Sequence, residues 1–314
     1  MTGRVFDARM DIPKSLLQQL YYEQKLSSKA IARRLSCDAT TICNYLRRYN
    51  LPIRDSKEAH RLQVFTKFPG RILYPKHDFN GSAPQKAYLI GFRLGDLYVA
   101  KVSSGPYCQT IQINCRTTQL AQLTLFRKLF REYGHIHECK PDRNGAFSLV
   151  CYVNRSFDFL LPKQDQAETW IQEDLTCATT FAAGYIDAEG SFHLTKRKSG
   201  SFKAVFALAS QDKNILAWLH SWFMSQQILC AAPKLAIPKG TPRQYSLNKD
   251  YWILQVHRKD ALLQLSKLLS HWIQHPKRRH DLARLLRNIK ERNRSPNLKF
   301  ASRQHQLSVH QARQ

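Results

Sequence analysis

The stretch FAAGYIDAEGSF, residues 181–192, runs from small and apolar residues into Asp187 and Glu189, with a glycine directly after. A surface helix carries a broad polar face, whereas only the last turn of this segment is polar. Upstream, AYLIGFRLGDLYVAK, residues 87–101, repeats the arrangement, with Gly91 and Asp96 standing 93 positions before Gly184 and Glu189. The small residues Ala182, Ala183, Gly184 and Ala188 in one segment, and Gly91 and Gly95 in the other, permit two helices to approach closely. Helices packed this way place Asp96 and Glu189 side by side. Two carboxylates forced together are costly unless a cation lies between them. The expected ion is Mg²⁺, a hard cation that takes carboxylate, water and phosphate oxygens. The chemistry this implies is phosphodiester hydrolysis, in which metal activates water and no protein nucleophile is required.

Charge points the same way. Among 314 residues, 49 Lys and Arg stand against 23 Asp and Glu, a formal net charge of +26, for which a polyanion is the natural partner. No apolar run approaches the roughly 20 residues of a membrane span, and the N-terminal MTGRVFDARMD does not read as a signal peptide. The expectation is a soluble cytoplasmic protein with access to DNA, organellar encoding being left open. Eight cysteines, at 37, 43, 108, 115, 139, 151, 177 and 230, form no Cys-x-x-Cys and have no histidine spaced to complete a zinc site. They are expected to be reduced and structural.

The elements that must position the acids also repeat. After Asp96 come DLYVAKVS and YCQTIQINC, and after Glu189 come SFHLTKRK and SFKAVFALAS, each pair reading as a β-hairpin. TQLAQLTLFRKLFREYG and KNILAWLHSWFMSQQ are amphipathic helices. Further strand pairs follow, HIHECKP with AFSLVCYV and KLAIPK with YWILQVHRK, and a closing helix is expected in each unit, near 155–172 and 259–291. Each half is α-β-β-α-β-β-α, so the fold class is α+β with two pseudo-symmetric repeats, at 86–175 and 176–292. Before them, residues 1–50 read as three short helices with Ser28 and Asp38 as caps and Leu20, Ile31, Leu35, Ile42 and Leu46 as a shared core. A Pro-punctuated basic linker is expected over 51–85 and a basic, flexible tail over 293–314.

The first fifty residues resemble a helix-turn-helix whose third helix enters the major groove. Its exposed Thr40, Thr41 and Asn44 suit base edges, and Arg47 and Arg48 suit phosphates. Over residues 86–292 the chain resembles the LAGLIDADG homing endonucleases in their single-chain, two-repeat form, through AAGYIDAEGSF and the looser LIGFRLGDLYV. The resemblance implies that the motif helices join the halves, that the last acids bind metal, and that each saddle-shaped antiparallel sheet lies in the major groove. It implies a monomer, encoded within an intron, that cuts both strands of a long double-stranded DNA target across the minor groove. Short 3′ overhangs result, with Mg²⁺ as cofactor and Mn²⁺ substituting.

Carried over by position, the metal-binding acids are Asp96 and Glu189, and Asp187 is a structural residue at the helix end. A polar residue after the second strand matches Gln211, and in the first half that position falls on Cys115 or Arg116. Basic residues before the closing helices match Lys163 and Lys277. Alternation along SFHLTKRK puts His193, Thr195 and Arg197 on the DNA face if Phe192 and Leu194 point inward. Leu97 follows Asp96 where the motif has glycine, so a different turn and a less efficient first centre are expected. Competing readings are a non-catalytic DNA-binding regulator of the same fold, which needs no acid at either motif end, and an RNA-splicing maturase. An intein is disfavoured, because the chain begins at Met1, ends HQARQ, and has no terminal Cys or His-Asn pair for splicing.

Overall fold

The computed structural model describes residues 11–56, 58, 59, 62, 74–103, 108–198, 200–242 and 248–294. Residues 57, 60, 61 and 63–73 of the expected linker, and the tail from 295, lie outside them. The chain divides into two compact units, the second starting at Pro75.

In the first unit, α1 (Lys14–Gln18) continues as a π turn to Glu23, and α2 (Ser28–Arg34) is joined by Leu35–Asp38 to α3 (Ala39–Arg48). Leu17, Leu20, Ile31, Ile42 and Leu46 are buried together, while Leu35 packs at the margin. The cap of α2 is Ser27, one residue before the expected Ser28. Ser27 holds extended backbone and its hydroxyl accepts from the Ala30 N–H at 3.1 Å. Asp38 occupies the cap position of α3 without a side-chain hydrogen bond. The chain beyond α3 is fastened back, with the Arg54 guanidinium 4.0 Å over the Tyr21 ring and donating to the Leu26 carbonyl at 2.8 Å.

The second unit contains two successive repeats. The first runs α4 (Ala83–Asp96), β1 (Tyr98–Lys101), β2 (Ile111–Thr117), α5 (Leu120–Phe130), β3 (Ile136–Cys139) and β4 (Phe147–Val153). A 3₁₀ turn (Arg155–Leu160) and α6 (Thr169–Glu173) follow. The second runs α7 (Leu175–Glu189), β5 (Gly190–Lys196), β6 (Phe202–Ser210), α8 (Lys213–Ser225), β7 (Lys234–Ile237), β8 (Tyr251–Val256), α9 (Lys259–Leu269) and α10 (Pro276–Arg294). Each repeat builds one antiparallel sheet, in the orders β1-β2-β4-β3 and β5-β6-β8-β7. Along each strand one set of side chains enters the common core, Ile111, Ile113, Cys115, Leu149 and Cys151 in one sheet and Phe192, Phe206, Leu208, Leu254 and Val256 in the other. The alternate set lies on the opposite face.

The closing helices differ from expectation. The first is cut short at Leu161, because Pro162 lacks an N–H and disfavours helical backbone in the residue before it. The second is broken into two by residues 270–275, and Pro276 opens α10, where its fixed φ suits a first turn. Helix α4 begins with a capping box between Ser82 and Gln85, and α7 with Asp174 accepting from the Cys177 N–H at 2.7 Å. Local signals therefore start both motif helices independently of each other.

Candidate active site

Helices α4 and α7 cross at two glycines. A Cβ on Gly91 would lie 2.2 Å from the Phe181 carbonyl oxygen and 2.9 Å from the Tyr185 nitrogen. One on Gly184 would lie 2.1 Å from the Tyr88 carbonyl oxygen and 3.0 Å from the Phe92 nitrogen. The two sets of neighbours correspond at a constant offset of 93, as do the stacked pairs Tyr88–Phe92 and Phe181–Tyr185. Only glycines allow this backbone approach. One turn further on, Gly95 packs against Ala188 and the Glu189 side chain, so Asp96 and Glu189 end their helices beside each other.

Both acids feel this placement. Burial pushes Asp96 up to about 6, opposed by a 2.7 Å hydrogen bond from Gln122 Nε2 and by the charges of Arg278 and Lys163. Burial pushes Glu189 up to about 7, helped by the negative charges of Asp96 and Asp212 and opposed by Lys163 and Arg278. Asp212 accepts from the Tyr185 hydroxyl at 2.9 Å and from Ser210 Oγ at 3.3 Å. Sequence reasoning passed over Gln122, Asp212 and Arg278. Asp212 carried a usable signal, an acid immediately before a helix.

Of the expected partners, Lys163 is exposed yet its charge acts on both acids. Lys277 turns to Asp281, at 2.8 Å, and it is its neighbour Arg278 whose charge, with that of Lys163, acts on the acids. Gln211 is half-buried between Ser210 and Asp212. Strand register moves its counterpart away from Cys115 or Arg116: Tyr98 pairs with Asn114 and Ser191 with Ala207, so the offset of 93 holds through the hairpins and Gln211 corresponds to Thr118. Cys115 faces the core, its thiol pushed up to about 12 by burial and then by Asp96, whereas Arg116 faces away and pairs with Asp142.

Asp187 is fully buried and accepts from the Tyr88 hydroxyl at 2.7 Å and from the backbone N–H groups of Gln274 and His275 at 2.6 and 3.0 Å. It ties α7 to α4 and to the turn before α10, the place held by Leu94 in the first helix. The different turn expected at Leu97 is not seen: Leu97 and Gly190 both leave their helices in extended backbone. Glycine is required at 190 for another reason, since a Cβ there would lie 2.6 Å from the Ile186 carbonyl oxygen.

On β5, Phe192 is buried, His193 is half-buried with Nδ1 3.3 Å from Ser191 Oγ, and Thr195 is exposed, as is Arg197 directly after the strand. In the first unit Thr40, Asn44, Arg47 and Arg48 are exposed on α3, Thr41 is half-buried, and Arg47 donates to Asn44 Oδ1 at 3.2 Å.

The sequence matches no family model and no curated protein. Solved structures do match. The chain is similar to LAGLIDADG homing endonucleases. With I-WcaI bound to its DNA recognition sequence it shares 17% identity at a TM-score of 0.45, over 74% of this chain and 95% of that one. With I-DmoI in complex with DNA and Ca the values are 16% and 0.44, over 64% and 98%. With I-SmaMI bound to cleaved DNA they are 12% and 0.43, over 70% and 94%. At such identities and TM-scores, what this chain does rests on its own residues.

Among the described residues no three His, Cys, Asp or Glu side chains are arranged to hold a metal unaided. Two half-buried carboxylates at a helix crossing nonetheless fit Mg²⁺, which commonly takes one or two carboxylates and completes its shell with water and substrate phosphate. The same burial sets a pH dependence in metal-free protein. Glu189 binds its proton more tightly folded than unfolded, so the stability it contributes is full below about pH 4.5 and is lost as pH rises through about 7. Glu189→Gln, neutral throughout, should therefore gain about 2 kcal/mol more over wild type at pH 8 than at pH 5, several degrees in Tm. Melting both proteins in chelator at the two pH values checks this, and an equal gap at both would remove the buried-acid account.

Proposed function

We propose that this protein is a site-specific endonuclease of the LAGLIDADG homing type, hydrolysing phosphodiesters on both strands of a long DNA duplex and leaving short 3′ overhangs. The observation that carries this reading is the glycine crossing that brings Asp96 and Glu189 together, each directly before the first strand of a four-stranded sheet. The net charge of +26 supplies the attraction to the duplex.

Mg²⁺, or Mn²⁺ in its place, would when bound supply an activated water and charge stabilisation at the leaving oxygen. Asp96 and Glu189 would hold it as ionised carboxylates. Gln122 orients Asp96, and Asp212, anchored by Tyr185, stands behind Glu189. Lys163 and Arg278, whose charges reach both acids, bind scissile-phosphate oxygens, with Gln211 beside them. Lys277 serves the backbone of α10 through Asp281 rather than the reacting groups. The open sheet faces, with His193, Thr195 and Arg197, lie in the major groove, and Thr40, Thr41, Asn44, Arg47 and Arg48 of the three-helix unit read and clamp a further tract.

Selection of cleaved molecules from a randomised duplex library with Mg²⁺ tests the proposal. The expected outcome is cutting of both strands that stops with chelator, and binding whose logarithm falls steeply with log salt as counterions are released. Tight binding to an enriched sequence without any nick would instead establish a regulator, and activity confined to intron RNA a maturase.

A further inference from the structure

Helix α8 starts against α7 without capping itself. Asp212 stands at its cap position, yet the side chain makes no bond to the first turn. The carboxylate accepts instead from Ser210 Oγ and from the hydroxyl of Tyr185, one turn before Glu189 on α7. Turned toward the paired acids, it leaves the open N–H groups of the helix start to another acceptor. Those of Asn214 and Ile215, at the second and third helical positions, are the ones a cap side chain ordinarily serves. Both are met from the first repeat: Asn214 donates to Asp165 Oδ2 and Ile215 to Asp165 Oδ1, each at 3.0 Å. The counterpart helix α5 starts on its own chain, the Gln122 N–H donating to the Gln119 carbonyl at 3.0 Å.

The segment to which Asp165 belongs also carries Lys163. Residues 161–168, between the 3₁₀ turn and α6, have no regular structure, and Pro162, Lys163, Gln164 and Gln166 are exposed. The segment is anchored at its ends, where Leu160 is buried with its carbonyl accepting from Arg93 Nε at 3.0 Å, and where Ala167 is buried. Between them Asp165 is half-buried against the start of α8. Two residues span at most about 7 Å of chain, so this cap confines the backbone of Lys163 to a small region beside Asp212. Arg278 needs no such tether, being built into α10 and donating to the Ala188 carbonyl at 3.4 Å. One cation acting on the acids is therefore placed by a helix, and the other by a carboxylate two residues along the chain.

We propose that Asp165 is a positioning residue for Lys163: by capping α8 from the other repeat it holds the Lys163 ammonium where a scissile-phosphate oxygen would lie. The proposal rests on the DNA-endonuclease reading.

The test uses the full chain, Asp165→Ala, Asp165→Asn, Lys163→Ala and the double variant Lys163→Ala with Asp165→Ala, on a duplex that wild type cleaves. Asp165→Ala should lower the single-turnover rate in Mg²⁺ at least about tenfold, as misplacing a group at the reacting atoms does. Affinity in Ca²⁺ should hold within about threefold, since one phosphate contact among many is affected. Asp165→Asn keeps one acceptor oxygen and should lose only about threefold, and it supplies the same comparison should Asp165→Ala not fold. Once Lys163 is alanine, adding Asp165→Ala should slow cutting by no more than about twofold, because the group it positions is gone. A cap that only stabilised α8 would slow both backgrounds alike. In metal-free protein without DNA, amide exchange at Asn214 and Ile215 should quicken at least about tenfold in Asp165→Ala and stay at the wild-type rate in Lys163→Ala. Unchanged exchange in Asp165→Ala overturns the tether. Losses that multiply in the double variant, or wild-type cutting by Asp165→Ala, overturn the positioning role and leave the endonuclease reading standing. A wild type that cuts no duplex of a randomised library overturns that reading and the positioning role with it.

Discussion

If the proposed function holds, Asp96→Asn and Glu189→Gln are each expected to abolish double-strand cleavage of a bound duplex, lowering the single-turnover rate by at least about a thousandfold, or about 4 kcal/mol. Each variant keeps the size and shape of the side chain, so the crossing at Gly91 and Gly184 is untouched and the fold persists. What disappears is the anionic oxygen that would hold the proposed cation, and with it the water that cation would activate. Affinity for the duplex in Ca²⁺ holds or rises, because a negative charge facing phosphates is gone. Asp187→Asn separates helix-end structure from chemistry. That carboxylate accepts three hydrogen bonds inside the protein, so the variant loses about 1–3 kcal/mol of stability while the remaining folded molecules still cut. Rates under saturating Mg²⁺, with folding followed in parallel, decide the matter. Wild-type cutting by Glu189→Gln together with a dead Asp187→Asn would show that the reacting acid is the wrong one of the two.

Gly184→Ala unfolds the second unit or leaves it at least about 3 kcal/mol less stable. Helix propensity argues the reverse, since alanine replaces glycine in a helix interior with a gain of about 1 kcal/mol. The added methyl, however, would lie 2.1 Å from the Tyr88 carbonyl oxygen, and a backbone atom in a capped helix cannot swing aside as a side-chain tip does. Relief requires α4 and α7 to separate, opening the buried aromatic pairs Tyr88–Phe92 and Phe181–Tyr185 and moving Asp96 from Glu189. Gly91→Ala should behave alike, its Cβ lying 2.2 Å from the Phe181 carbonyl oxygen. Denaturant unfolding measures the loss, and a midpoint at or above wild type for Gly184→Ala would refute close crossing at this point.

The residues of one repeat predict those of the other because both copies obey the same local physics. Alternating apolar residues after each acid specify hairpins, and small residues within an apolar segment mark a helix that must meet another at close range. From these the amino-acid sequence by itself determined two α-β-β-α-β-β repeats and the placing of Asp96 opposite Glu189. It also determined a three-helix unit whose buried positions recur at helical spacing. It did not determine which cation of the second repeat acts on the acids. Successive residues on a helix differ in direction by about 100°, so a displacement of one position turns Lys277 toward Asp281 and Arg278 toward the acids. Nor could it show that Gln211 answers to Thr118, since a strand shift of one residue exchanges the two faces and only the paired register fixes the phase. Gln122 and Asp212 approach the acids from helices that follow the second strands, 26 residues after Asp96 and 23 after Glu189. Separations of that length carry no periodic signal, and those contacts exist only because each sheet packs its helix back against the crossing.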